Sequence, residues 1–313
     1  MPITTTDHRV PSAQPGLSVL LRNKRTTDHA PVVLFVHGAT YPATVTFDYA
    51  VDGVSWMDRL AADGFDTWCI DLLGYGGADR PPPMAGAATA SGPIVDTADA
   101  VADVKRAIDF ILARQSVPTL DLIGYSWGTA ICGQVAGEAT DKIRRLVLAG
   151  ALWVQAGKVQ IAVDGPLGAY RLVDAAGSLK RWTIGLDDRQ KAAIGPAARR
   201  AQWADAAIAS DPESARYQPP VLRAPTGVVK DVTDYWLNDT PTYDPALIKC
   251  PTLIVVGEWD QETTPVQGQQ VFARLTGTAT RRFTLIGAAT HLMLLENQRL
   301  HLHETVRGFL GER

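Results

Sequence analysis

The pentapeptide Gly124-Tyr125-Ser126-Trp127-Gly128 constrains this chain more than any other stretch. A buried-strand pattern, Thr119-Leu120-Asp121-Leu122-Ile123, runs into it, and a helix-compatible run from Thr129 to Ala136 leaves it. A serine on so sharp a strand-to-helix turn is held exposed above the backbone N–H groups of a helix start. That geometry suits a nucleophile, because charge developing on an attacked carbonyl oxygen can be bound by those N–H groups. The glycines on either side let two backbones approach closely at the turn.

The segments around this turn alternate. Pro31-Val32-Val33-Leu34-Phe35-Val36 is a continuous apolar run, as expected of a parallel strand covered on both faces. Residues 55–62 read as a helix and 66–70 as the next strand. Ile94, Ala98, Val101, Val104, Ile108 and Ile111 recur every three or four residues and predict an amphipathic helix. A strand at 145–149 follows the elbow and its helix. The alternation resumes with a strand at 251–256, a helix at 265–275, a strand at 282–286 and a helix at 297–310. This order predicts an α/β fold, a mostly parallel, doubly wound sheet with helices on both faces. Residues 152–249 break the pattern with helix-like pieces at 196–210 and 227–237. They read as a helical cap inserted into a core formed by residues 1–151 and 250–313.

Of the 313 residues 46% are hydrophobic and 20% charged, which supports a sizeable core and argues against disorder. A formal net charge of -3 favours neither nucleic acid nor an anionic membrane surface as a partner. Cys69, Cys132 and Cys250 lie far apart and form no ligand-like spacing, so they read as small buried hydrophobes in a reducing compartment. The polar, proline-punctuated N-terminus lacks the apolar core of a signal peptide, and no run is long enough to span a membrane. The expectation is a soluble, cytoplasmic protein. Nothing in the sequence bears on oligomeric state.

Five pieces stand at the C-terminal ends of predicted strands: His37-Gly38; Asp71-Leu72-Leu73-Gly74-Tyr75-Gly76-Gly77; the elbow at Ser126; Gly257-Glu258-Trp259-Asp260 with Thr264-Pro265; and Gly287-Ala288-Ala289-Thr290-His291. In this order they resemble the α/β-hydrolase superfamily over nearly the whole chain outside the cap. A serine hydroxyl needs a base to take its proton, and imidazole titrates in the right range. His8 and His29 lie in the polar N-terminal region. His301 and His303 lie in the last helix, on what reads as a solvated face. The resemblance gives His37 a structural turn and His291 the place of the base. Asp260 takes the place of the acid that fixes the base's tautomer, in the order Ser126, Asp260, His291. The position after the preceding strand, where some relatives carry the acid, reads Gly150-Ala151-Leu152 with no carboxylate. Glu258 and Glu262 read as surface groups.

By the same resemblance the oxyanion donors are the backbone N–H groups of Trp127 and Ala39, with the Thr40 and Tyr41 hydroxyls beside them. The cap carries Trp153, Trp182, Trp203 and Trp236, together with Tyr170, Tyr217, Tyr235 and Tyr243. Most of these rings serve packing, but one or two are expected to line the site over an apolar or ring-bearing substrate, and the Trp127 ring is a further candidate for its wall. Lys180-Arg181 and Arg199-Arg200 read as solvated helix faces. The implied activity is a serine hydrolase acting on a small-molecule carboxylic ester or lactone through an acyl-enzyme, with no metal or organic cofactor. A carbon–carbon bond hydrolase, an acyltransferase and a ligand-binding receptor are the alternatives on the same residues.

Overall fold

A computed structural model describes residues 2–28, 30–154, 161 and 165–312. His29 lies outside the described residues. Ten strands are present among them: β1 (Thr4–Pro11), β2 (Ser18–Arg25), β3 (Val32–Val36), β4 (Asp66–Asp71), β5 (Leu120–Tyr125), β6 (Ile143–Ala149), β7 (Tyr170–Asp174), β8 (Val221–Pro225), β9 (Thr252–Gly257) and β10 (Arg281–Ile286). The α-helices are α1 (Ala43–Thr46), α2 (Trp56–Ala62), α3 (Thr97–Gln115), α4 (Trp127–Glu138), α5 (Ala175–Trp182), α6 (Asp188–Ala193), α7 (Ala197–Ala209), α8 (Gly227–Asp234), α9 (Pro265–Arg274) and α10 (Arg299–Leu310).

Eight strands form one sheet in the order β1-β2-β4-β3-β5-β6-β9-β10. From β4 to β10 all neighbours run parallel, and β1 and β2 add an antiparallel edge. The expected doubly wound α/β sheet is therefore present. Every residue of β3, β4, β5 and β9 is buried, because both faces are covered. Side chains alternate between two apolar layers. Leu34, Val36, Leu122, Leu146 and Ile254 pack with α3 and α4 through Val104, Ile108, Ile131 and Val135. Val33, Phe35, Ile123, Val147 and Leu253 pack on the other face with Met57 and Leu60 of α2 and Leu302, Val306 and Phe309 of α10. The three cysteines are free and buried, as their apolar settings imply.

Two features differ from expectation. The edge hairpin β1–β2 is absent from the sequence reading, because β1 is almost wholly exposed and polar and shows no core-facing pattern. The segment between β6 and β9 is also not purely helical. Besides α5 to α8 it holds the antiparallel pair β7–β8. No helix among the described residues is long and apolar enough to cross a membrane.

The elbow depends on close backbone packing. A Cβ on Gly128 would lie 2.3 Å from the carbonyl oxygen of Val36, and one on Gly124 would lie 2.4 Å from that of Gly128. Backbone atoms cannot yield as a flexible side chain can. Gly128→Ala is expected to destabilise the fold by about 1–3 kcal/mol or more through overpacking, read as a lower urea midpoint at unchanged slope. Gly86→Ala, at a position open to solvent, serves as the control.

Candidate active site

Ser126 stands between β5 and α4 with φ 56° and ψ -123°, a strained conformation for a residue with a Cβ. Neighbouring strands hold it there. Its N–H donates to the Ala149 carbonyl at the end of β6 at 2.9 Å. Its carbonyl accepts from the Thr129 N–H at 2.8 Å and from the Thr129 hydroxyl at 2.5 Å. The Thr129 hydroxyl in turn accepts from the Leu152 N–H at 2.8 Å, which ties the elbow to the start of the inserted segment.

The structure brings Ser126, His291 and Asp260 together. Ser126 Oγ lies 3.0 Å from His291 Nε2, and His291 Nδ1 lies 2.9 Å from Asp260 Oδ2. Asp260 is fully enclosed by donors. Oδ1 accepts from the N–H groups of Glu262 and Thr263 at 2.8 and 2.9 Å, and Oδ2 accepts from the Thr263 hydroxyl at 2.9 Å. Gly150, with φ +63°, leaves the room this needs. A Cβ there would stand 2.8 Å from Thr263 Oγ1 and 3.6 Å from Asp260 Oδ2. Tyr125 holds the imidazole from below: its hydroxyl donates to the His291 carbonyl at 2.8 Å, and its ring stacks on the imidazole at 5.0 Å. Burial, with Glu262 and Asp260 nearby, pushes the Tyr125 pKa well up, so the hydroxyl keeps its proton for that bond.

The His37-Gly38-Ala39 turn lies against the serine, since a Cβ on Gly38 would come within 2.9 Å of Ser126 Cβ. Burial lowers the His37 pKa to about 4, so the ring is neutral. Its Nδ1 donates to the Gly38 carbonyl at 2.7 Å, and its Nε2 accepts from the Leu72 N–H at 3.2 Å. In a trans peptide the N–H points opposite the carbonyl, so pinning the Gly38 carbonyl also fixes the direction of the Ala39 N–H. Trp127 opens α4, where first-turn N–H groups have no partner within the helix. Its side chain does not wall the site. The ring is buried in the core, with Nε1 donating to Thr97 Oγ1 at 2.9 Å.

The cavity at Ser126 is only about 20 Å³, bounded by Ala39, Thr40, Tyr41, Tyr125, His291 and Leu292 together with Arg181 and Glu262. The last two correct the sequence reading. Arg181 projects inward from α5 and grips Glu262 with both arms of its guanidinium, Nε to Oε1 at 2.7 Å and Nη2 to Oε2. Lys180 alone keeps the solvated position expected of the pair. Glu262 Oε2 lies 3.7 Å from His291 Nε2. Burial would raise the Glu262 pKa, but Arg181 and His291 hold it below the ordinary glutamate value. Burial would lower the His291 pKa, but Asp260 and Glu262 outweigh it and hold it above the ordinary value. A pair separated by 81 positions leaves no local trace in sequence.

The four cap tryptophans do not line this cavity. Trp182 donates from Nε1 to buried Glu296 at 2.7 Å, and Trp203 donates to the Val45 carbonyl at 2.9 Å while packing edge-on against Tyr41. Trp153 packs against Tyr243, and Trp236 is buried in the core beside α8. Each ring is needed to bury the inserted segment against the sheet. Thr40 and Tyr41 do line the cavity. His303 is not solvated either. It stacks on Trp56 at 4.8 Å, and burial lowers its pKa to about 3. Among the described residues no three His, Cys, Asp or Glu side chains are grouped as metal ligands.

The family model described as the alpha/beta hydrolase fold matches residues 31–298. Solved structures with the same fold include a thermophilic esterase from Thermogutta terrifontis, at 17% identity and TM-score 0.60, covering 97% of this chain and 98% of that one. The 2-hydroxy-6-oxo-6-phenylhexa-2,4-dienoate hydrolase from Rhodococcus sp. strain RHA1 matches at 14% identity and TM-score 0.65, covering 99% and 100%. The enol-lactonase from Burkholderia xenovorans LB400 matches at 18% identity and TM-score 0.60, covering 96% and 100%. Among curated proteins none matches the chain.

The charges around His291 make a direct prediction. Glu262→Gln removes a negative neighbour and leaves Arg181 uncompensated. Both changes disfavour the imidazolium, so the His291 pKa falls. An NMR titration of the His291 ring is expected to move to lower pH in Glu262→Gln; an unmoved or upward titration would show that Glu262 does not act on the imidazole.

Proposed function

The chain belongs to the α/β-hydrolase superfamily, and from that premise we propose that it is a serine hydrolase cleaving a small-molecule carboxylic ester or lactone through an acyl-enzyme. The observation that carries this reading is the relay from Ser126 Oγ to His291 Nε2 at 3.0 Å and from His291 Nδ1 to Asp260 at 2.9 Å. Neutral His291 takes the Ser126 proton as Oγ attacks the carbonyl carbon. The negative oxygen of the tetrahedral intermediate is bound by the N–H groups of Trp127 and Ala39. Collapse breaks the bond to the leaving alcohol, and the imidazolium returns its proton to that oxygen. A water deprotonated by His291 then attacks the acyl-enzyme and releases the acid and Ser126. Asp260 holds the His291 tautomer that keeps Nε2 free to accept a proton, and it stabilises the imidazolium.

Residues 152–249 act as the cap. The cavity of about 20 Å³ has room for about one water and not for a substrate. A substrate therefore reaches Ser126 only when the cap side of the site, with Arg181, moves.

Purified protein is expected to turn over short-chain p-nitrophenyl esters and to be labelled at Ser126 by a fluorophosphonate. Ser126→Ala should lower kcat by about 10⁴-fold or more with the fold unchanged by circular dichroism, and Asp260→Asn by about 10⁴-fold, by favouring the wrong tautomer. Wild-type protein showing neither turnover nor labelling would sink the reading.

A further inference from the structure

Arg171, on β7, reaches the loop that borders Ser126. Its Nη2 donates to the Ala39 carbonyl at 3.2 Å and to Thr40 Oγ1 at 2.6 Å. Its Nε is buried and has no hydrogen-bond partner, and no carboxylate lies within 4.0 Å of the guanidinium among the described residues. Two other arginines of the inserted segment, half-buried Arg181 and buried Arg223, are treated differently. Arg181 holds Glu262, and Arg223, on the paired strand β8, holds Asp211 at 2.8 Å and Glu213 at 2.9 Å. A guanidinium taken out of water is costly unless a counter-charge and hydrogen bonds replace the lost hydration.

Arg171 and Arg181 also converge. Arg181 Nη1 donates to the same Thr40 hydroxyl at 2.7 Å, so two cations meet on one neutral acceptor while the site offers them one carboxylate, Glu262. Burial, and then the neighbouring Arg181, hold the Arg171 pKa down at about 10, which still leaves it charged at neutral pH. Both guanidiniums border a second cavity of about 320 Å³, walled by Tyr41, Ser178, Val173 and Val221. Tyr41 and Arg181 separate it from the small cavity at Ser126. Asp174 stands at its rim, with its carboxylate accepting the Gly177 N–H at 2.7 Å as the cap of α5. A volume of this size holds a short chain, at the lower end of the roughly 300–1,000 Å³ of small-molecule sites.

We propose that the substrate carries a carboxylate, which binds Arg171 in the 320 Å³ cavity while its scissile carbonyl lies at Ser126. The proposal rests on the serine-hydrolase reading for the second half of that sentence only. A carboxylate completes the charge that Arg171 lacks by accepting from Nη1, the arm not already committed, while Glu262 is held by Arg181 and the Asp174 carboxylate stays at the rim on the Gly177 N–H. The aliphatic walls at Val173 and Val221 suit a short methylene chain between the two groups.

Two esters of equal chain length test this: mono-4-nitrophenyl adipate, which ends in a carboxylate, and 4-nitrophenyl hexanoate, which ends in a methyl group. Wild-type kcat/KM is expected to favour the adipate by about tenfold or more, the scale of one hydrogen bond to a charged group. In Arg171→Met the adipate-to-hexanoate ratio is expected to fall to about one, and Arg171→Lys should restore part of it. Using the ratio removes any loss common to both esters from disturbance of the Ala39–Thr40 turn. Binding is measured separately, by calorimetry of adipate and of neutral hexanamide on Ser126→Ala with and without Arg171→Met. Wild type that turns over both esters with no preference for the adipate overturns the proposal and leaves the hydrolase reading standing. A preference that survives in Arg171→Met, or adipate binding that is absent from Ser126→Ala, also overturns it. If neither ester is cleaved, the hydrolase reading fails; adipate binding that disappears with Arg171→Met then supports the subsite by itself.

Discussion

The arrangement depends on one strained residue held by three adjacent strands. Ser126 has a left-handed φ that costs a residue with a side chain on the order of 1–3 kcal/mol. It persists because β5 delivers the chain to the turn, β6 accepts its N–H through Ala149, and the end of β3 presses its backbone onto Gly128. Removing any of these three neighbours would let the turn relax and carry the hydroxyl away from His291. The sheet order β3-β5-β6 is thus a requirement of the site as well as a fact of topology. The parallel direction matters equally, since it places the ends of β3, β5, β9 and β10 at one edge, where His37, Ser126, Asp260 and His291 can meet.

A second layer of order is electrostatic. Buried Glu296 accepts from the Thr290 N–H at 2.8 Å and from Trp182 at 2.7 Å, so α5 of the inserted segment is tied to the residue just before His291. Burial raises the Glu296 pKa, and the donors around it work against that rise. The Arg181–Glu262 pair makes a second tie between the same helix and the loop after β9. The Glu296 tie is buried and the Arg181–Glu262 tie half-buried, and breaking either one leaves an uncompensated polar group, which is the expensive direction for charge withdrawn from water. The inserted segment is therefore seated on the core by polar contacts at the site itself as well as by its tryptophans.

How far the sequence revealed this depends on the range of each interaction. The parallel sheet and the elbow were legible because the apolar runs that mark them are local, whereas the meeting of Ser126, Asp260 and His291 was expected only through the family resemblance. Gly150, read only as a position without a carboxylate, proves to give the Asp260–His291 pair its space. Arg181, Glu262 and Arg171 were not legible. Their partners lie tens of positions away, and an arginine in an amphipathic helix reads the same whether it faces water or a buried acid. His303 failed for a related reason: its helical position is ambiguous until Trp56 is known to stack on it. The four tryptophans show the converse error, in which large rings suggest a lining where the insertion needed them for packing.

These two layers meet at His291. His291 is a base only when neutral, and its neighbours set how readily it is protonated. Asp260 and Glu262 favour the imidazolium, and Arg181 opposes it. Arg181 sits on α5 and borders the cavity of about 20 Å³ at Ser126. Without the Arg181 charge, Glu262 would act on the imidazole with less compensation and hold the His291 pKa higher. The same guanidinium thus borders the cavity and limits how far the two carboxylates raise the His291 pKa, so that more of the imidazole is neutral at a given pH.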